Sequence, residues 1–237
     1  SMLIAGIAFL ILGGASFGWM ALFTSKLEGG DFNRIGFPIF MITLIVGMIV
    51  SMMWVANMLR NGSIGLTVSC YILYILSESV AFGWLFGLAS NEGKGSWLGV
   101  LFFVVAFAFL MSTLIAKIAS FRSVITMGAI IGIIGITMLI MFLVFFVLML
   151  VNMFVWSSSV AMVQDTFCLL IMLCMTVVSF LYLIIDIWSI SKMSEFQDMA
   201  GQEFPKIMSW FCGFRLLTDL VNVLFILILW LIRFSRR

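Results

Sequence analysis

Histidine is absent from the 237 residues, and charge is scarce: 12 basic and 10 acidic side chains, 9% of the chain. The missing histidine excludes Ser-His hydrolysis, His-ligated metals and imidazole pH switching. Any sensing of pH near neutrality then falls to perturbed carboxylates. Twenty-two charges cannot coat a soluble particle of 26.5 kDa, and too few residues remain to build a soluble catalytic domain. The net charge of +2 is too small for a nucleic-acid partner. Only two prolines occur. Pro38 is expected to open the second helix and Pro205 to precede the seventh, positions where proline is tolerated. The cysteines Cys70, Cys168, Cys174 and Cys212 lie in or beside apolar stretches with no CxxC pair, and read as small buried hydrophobes.

What is abundant is apolar. Hydrophobic residues make up 65% of the chain, against about 45–50% in soluble domains, and the mean hydropathy is +1.31. A spanning helix takes about 20 apolar residues. Seven such runs are visible, near 2–24, 37–58, 65–89, 97–116, 126–154, 166–190 and 207–232. The fold class is therefore all-α: one polytopic domain of seven transmembrane helices in a lipid bilayer. The first run lacks a basic leader segment and a small-x-small cleavage site, and is read as a mature helix.

The connecting segments are short, the longest near 191–206. Positive charge does not orient the chain. Arg60, Lys117, Arg122, Lys192 and Lys206 fall on one side, and Lys26, Arg34, Lys94, Arg233, Arg236 and Arg237 on the other. Gly128, Gly132 and Gly135 on helix five, and Gly83 and Gly87 on helix three, are expected to serve close helix packing. The 25 Phe and 19 Met mark no cofactor box and read as lipid-facing and core filler.

Ionisable groups inside spans are costly and are candidate functional residues. Asp186 lies about 28 Å along helix six at 1.5 Å per residue. Tyr182, Asp186 and Ser189, with Ser179, follow 3–4 spacing and form one polar stripe. Asp219 lies about 21 Å from Arg233 on helix seven, and Arg215, Asp219 and Asn222 share a face expected to turn inward. The two aspartates thus fall on consecutive helices at compatible depth. Two carboxylates in contact do not both ionise easily, and a shared proton is a route to a histidine-free switch. The plain alternative is an Asp219–Arg215 structural pair with Asp186 hydrated at the interface. Glu78 lies mid-span in helix three beside Ser77 and Ser79, with Tyr71 and Tyr74 on its face, and is either protonated or beside a cation path. Arg60 ends helix two as an interfacial anchor or as a partner of the aspartates.

The last two spans resemble the transmembrane Bax inhibitor motif family. The stretch Ser179-Phe-Leu-Tyr-Leu-Ile-Ile-Asp186-Ile-Trp-Ser-Ile-Ser-Lys192 is similar to that family's LYxxYDxxxIxK segment. Leu216-Leu-Thr-Asp219-Leu-Val-Asn222-Val-Leu-Phe225, followed by Leu231-Ile-Arg233, is similar to its last helix, and 117–128 to its basic loop and following glycine. Ile185, Leu217 and Thr218 depart from the family pattern, which marks a divergent member. The resemblance implies seven helices with the last one central, and an Asp186–Asp219 pair that senses pH. It further implies a proton-sensitive calcium leak, a helix-two arginine, here Arg60, latching the ionised, closed form, and a cytosolic amino terminus; Arg215 on helix seven is the alternative latch. In this reading Glu78 lines the ion path and Asn222 orients Asp219. Calcium and protons are the partners.

No catalytic residue, organic cofactor or oxygen-rich calcium cage is read. The rival readings are three. One is a non-transporting membrane protein that restrains a membrane protease or a cell-death factor through a membrane-protein partner. Another is a cation/proton exchanger using Glu78 and the aspartates. The third is an intramembrane aspartyl protease, disfavoured because no glycine closely precedes Asp219 and no proline follows Pro205. The short termini favour a prokaryotic inner membrane over an endoplasmic reticulum.

Overall fold

In lipid, backbone N–H and C=O groups find no water, and a helix satisfies them within one segment. The computed structural model, which describes residues 2–26, 30–59, 63–154, 158–199 and 206–235, follows that rule. Seven α-helices succeed one another: α1 (Met2–Lys26), α2 (Gly30–Leu59), α3 (Ile64–Asn91), α4 (Gly95–Ile118), α5 (Phe121–Phe154), α6 (Ser158–Met199) and α7 (Lys206–Ser235). Each is long and apolar enough to cross a membrane, and no strand occurs among the described residues. The protein is an integral multi-pass membrane protein.

Every span read from the sequence lies on one of these helices, but several helices are longer than their apolar run. α2 begins at Gly30, so Pro38 lies inside a helix rather than at its opening. The helix continues upstream through polar residues that a hydropathy reading assigns to a loop. There Pro38 leaves the Arg34 carbonyl without its usual intrahelical donor. α6 likewise runs from Ser158 to Met199. Asp165 and Lys192 are therefore helical, and Lys192 Nζ lies 2.6 Å from Glu195 Oε2, an exposed ion pair one turn apart. Pro205 lies outside the described residues.

The chain divides into two compact units, Ser1–Phe107 with Ile190–Arg237, and Ala108–Ser189. In the first, α3 packs against α1, α2 and α7, and α7 also packs against α1. Within this unit the most enclosed helix is α3, whose buried face includes Tyr71, Tyr74, Glu78, Phe82 and Phe86.

Two features let α1 and α2 approach it. A Cβ at Gly83 would strike the Trp19 side chain and come within 3.2 Å of the Ser16 carbonyl and the Met20 amide, so α1 rests directly on the α3 backbone. At Gly36 on α2, a Cβ would strike the Trp84 ring, which also packs on Phe40 with centroids 4.8 Å apart. By contrast, nothing lies within 4 Å of a Cβ at Gly128, Gly132 or Gly135, so the packing role expected for these glycines is not found among the described residues.

Both ends of α3 are closed by side chains and turn geometry. Ser63 caps its start through Leu66 N–H, which donates to Ser63 Oγ at 3.1 Å. Asn57, buried at the end of α2, clamps the connection. Its Nδ2 donates to the Ser63 carbonyl and to Thr67 Oγ1, and its Oδ1 accepts from Ser63 N–H. Asn57→Ala removes all three bonds and leaves buried groups unmet. It is expected to cost about 1–3 kcal/mol, read as a lower melting temperature in detergent, with Asn57→Asp recovering part of the loss. At the far end, Gly93 adopts φ +76°. Lys94 N–H donates to the Ala89 carbonyl and Gly93 N–H to that of Ser90, a Schellman closure that needs glycine.

In the second unit only Ala119 and Ser120 separate α4 from α5. Ser120 caps α5 through Ser123 N–H. Trp188 on α6 donates its indole N–H to the Ala119 carbonyl at 3.0 Å and packs beside Phe121, which pins this turn to α6.

Candidate functional site

Phe214, fully buried on α7, is the hub from which the site in the first unit is built. Its ring stacks on Trp54 of α2 with centroids 4.8 Å apart, and meets Tyr71 and Tyr74 of α3 at 5.1 Å each. Further along, Phe82 meets Phe225 edge-on. These contacts set α3 and α7 parallel and in register. Glu78 stands halfway between Tyr74 and Phe82 along α3, and Asp219 about halfway between Phe214 and Phe225 along α7, so the two acids lie at one level along these helices.

Glu78 is 7% exposed and has neither a hydrogen bond nor an ion pair among the described residues. Its Oε1 presses against α2 at Gly47, occupying the place where a Cβ would otherwise stand. Ser77 Oγ borders the same space at 3.5 Å and donates to the Tyr74 carbonyl at 3.0 Å. On α2, the Ser51 hydroxyl donates to the Gly47 carbonyl.

Asp219 is half-buried among Leu216, Leu217, Leu220 and Val221. Arg215 and Asn222, which share its stripe, are exposed, so the inward turn expected of that whole stripe does not extend to them. Phe214 and Phe225 make the ring contacts of α7 with α3 instead, and Leu217 and Val221 are buried between them along the helix. Arg215 and Asp219 both engage in further polar or electrostatic contacts. Thr218 donates its hydroxyl to the Arg215 carbonyl.

Asp186 belongs to the second unit. It is 2% exposed, set between Leu183, Ile184 and Ile187, and also engaged in a polar or electrostatic contact. Of its stripe, Ser189 is half-buried and donates to the Ile185 carbonyl, while Tyr182 is 45% exposed. Arg60 lies outside the described residues.

The structure thus joins Glu78, Tyr74 and Asp219 in one unit, an association that reading along single helices does not bring out. Gly47 is the residue that the sequence reading passed over. Its only signal there is a small residue four positions before Ser51 in an otherwise bulky span. Among the described residues no group of three or more Cys, Asp and Glu is placed to hold a metal ion, and none of the four cysteines forms a disulfide. Comparison with known protein families, with curated proteins and with solved structures returns no match.

Proposed function

We propose that this protein is a proton-sensitive cation leak, with calcium the foremost ion and the Asp186–Asp219 pair as the sensor. The observation that carries the reading is the placement of acids in apolar spans. Asp186 and Glu78 are buried inside helices long enough to cross a bilayer, and Asp219 is half-buried in a third. A carboxyl in that setting is costly to keep and is retained where ions or protons are handled. The resemblance of 179–192 and 216–233 to the transmembrane Bax inhibitor motif family supports the same reading. In it, Arg60 or Arg215 latches the ionised, closed form, Glu78 lines the path, and Asn222, Tyr182 and Ser189 support the acids. The amino terminus is cytosolic and the membrane a prokaryotic inner membrane.

The test is calcium flux into proteoliposomes from about pH 6 to 8, the window where histidine usually serves as the switch. Wild-type flux is expected to change steeply with pH. Asp186→Asn and Asp219→Asn each hold one member permanently neutral, so each is expected to flatten the profile. A wild type that passes no calcium at any pH overturns the leak reading, and an interaction protein with structural aspartates takes its place.

A further inference from the structure

α1 rests on the α3 backbone at Gly83. Nearer the starts of both helices a cleft of about 250 Å³ opens between them, with the first turns of α7 beside it. Ala8 and Tyr71 are its buried walls. Trp210 of α7 stands at its side, with its ring 5.6 Å from that of Tyr71, edge to face. Ile7, Ile11 and Ile72 form the rim and are 51%, 56% and 54% exposed, so the cleft is continuous with the lipid-facing surface of the spans. Its lining is aliphatic and aromatic throughout, and the Tyr71 hydroxyl is itself buried. The cleft offers no charge to an ion, and a water there lacks the two to four polar partners that would hold it.

We propose that this cleft holds one acyl chain of a bilayer phospholipid as a standing part of the α1–α3–α7 packing. Its depth and length fit a single chain of one leaflet. The cleft begins at Ile4, Val68 and Trp210, two, four and four residues inside the three helices. From Ile4 to Ile11 it runs about 10 Å at 1.5 Å per residue, against about 15 Å for half of a hydrocarbon core of about 30 Å. Helices in lipid are held together by van der Waals packing rather than by a hydrophobic driving force, and atoms lining an empty gap forfeit those contacts. A chain in the cleft restores them on three helices at once, where a chain on a flat helix face touches one. The site goes beyond the leak reading and does not depend on it.

The full-length protein is reconstituted in nanodiscs of phosphatidylcholine carrying a mid-chain diazirine and irradiated, and the adducts are mapped by peptide mass spectrometry. Segments 4–11 and 68–75 are expected to take up about fivefold more label per exposed residue than 100–107 on α4, a ratio corresponding to about 1 kcal/mol of preference. Ala8→Phe fills the cleft from its buried wall and is expected to abolish the enrichment. Val100→Phe, at a position 48% exposed on α4, is expected to leave it unchanged. If Ala8→Phe does not fold, Ile72→Trp at the rim is used, with the same expected loss. In a second measurement, phosphatidylcholine returned to delipidated protein in detergent is expected to raise the melting temperature of wild type more than that of Ala8→Phe. Even labelling of the cleft and of α4 in wild type overturns the site. Enrichment that survives both Ala8→Phe and Ile72→Trp overturns the cleft as its place. Enrichment from a diazirine free fatty acid but not from the phospholipid overturns the phospholipid as its source. An equal thermal shift in wild type and Ala8→Phe overturns the packing role.

Discussion

Phe214→Ala is expected to destabilise the first unit more than any other single truncation there, by about 3 kcal/mol. Phe→Ala in the core of a water-soluble protein costs about 3–5 kcal/mol, as a transfer contribution plus a cavity contribution. In a bilayer much of the transfer contribution vanishes, because lipid tails are as apolar as the ring. The cavity contribution persists, since Trp54, Tyr71 and Tyr74 each lose their packing partner at once. The low end of the range is therefore the expectation.

The effect is read with a thiol-reactive dye during thermal unfolding. Cys70 and Cys212 are buried on α3 and α7, which carry the ring cluster, and report its opening. The half-buried Cys168 and Cys174 are first replaced by serine. Phe214→Leu is expected to recover most of the loss. Phe103→Ala, at a ring 77% exposed, is expected to leave the transition in place. A Phe214→Ala transition that coincides with wild type would show that the ring cluster does not hold α2, α3 and α7 together.

Gly83→Leu is the second large effect. Overpacking costs about 1–3 kcal/mol when neighbouring side chains can yield. At Gly83 the obstacles include the α1 backbone itself, the Ser16 carbonyl and the Met20 amide. Main chain in a helix does not step aside, so α1 must leave α3 as a body. The contact of Phe17 with Phe86 goes with it. The cost is expected at or above about 3 kcal/mol, seen as loss of monodisperse protein on gel filtration in mild detergent. Gly83→Ala is expected to fall between wild type and Gly83→Leu. Gly132→Leu is expected to behave as wild type, because that position meets nothing within 4 Å. If the Gly83 and Gly132 variants behave alike, direct α1–α3 backbone packing is not what holds the unit.

These two glycines also mark how far the sequence can be read. Seven spans are legible because hydrocarbon thickness sets a length that apolar runs of Leu, Ile, Met and Phe reveal directly. The helix ends are less legible, since backbone hydrogen bonding does not stop where hydropathy falls. Residues 30–36 and 191–199 are polar in part, yet they continue α2 and α6. Gly83 and Gly132 look alike in sequence, both set in apolar spans. Only the approach of another helix separates them. The same applies to the acids. Mid-span carboxyls stand out at once, because they violate the composition around them. Their neighbours do not stand out, because Gly47 on α2 is brought against Glu78 on α3 by packing between helices. Spacing along one helix locates Asp186 and Asp219, but the exposure of Arg215 and Asn222 depends on which side of α7 meets α3, and that is set by rings at 214 and 225.

The length of α6 has a practical consequence. A helix of 42 residues extends about 63 Å at 1.5 Å per residue. Tilted by 40°, the top of the usual range, it still rises about 48 Å along the membrane normal, against a hydrocarbon core of about 30 Å. About 18 Å of it therefore stands clear of the hydrocarbon core as a continuous helical post. A protein of this size with so little mass outside the bilayer is a poor particle for electron microscopy, because nothing breaks the uniformity of the micelle. A rigid helical fusion grown in register from that post would supply the missing fiducial.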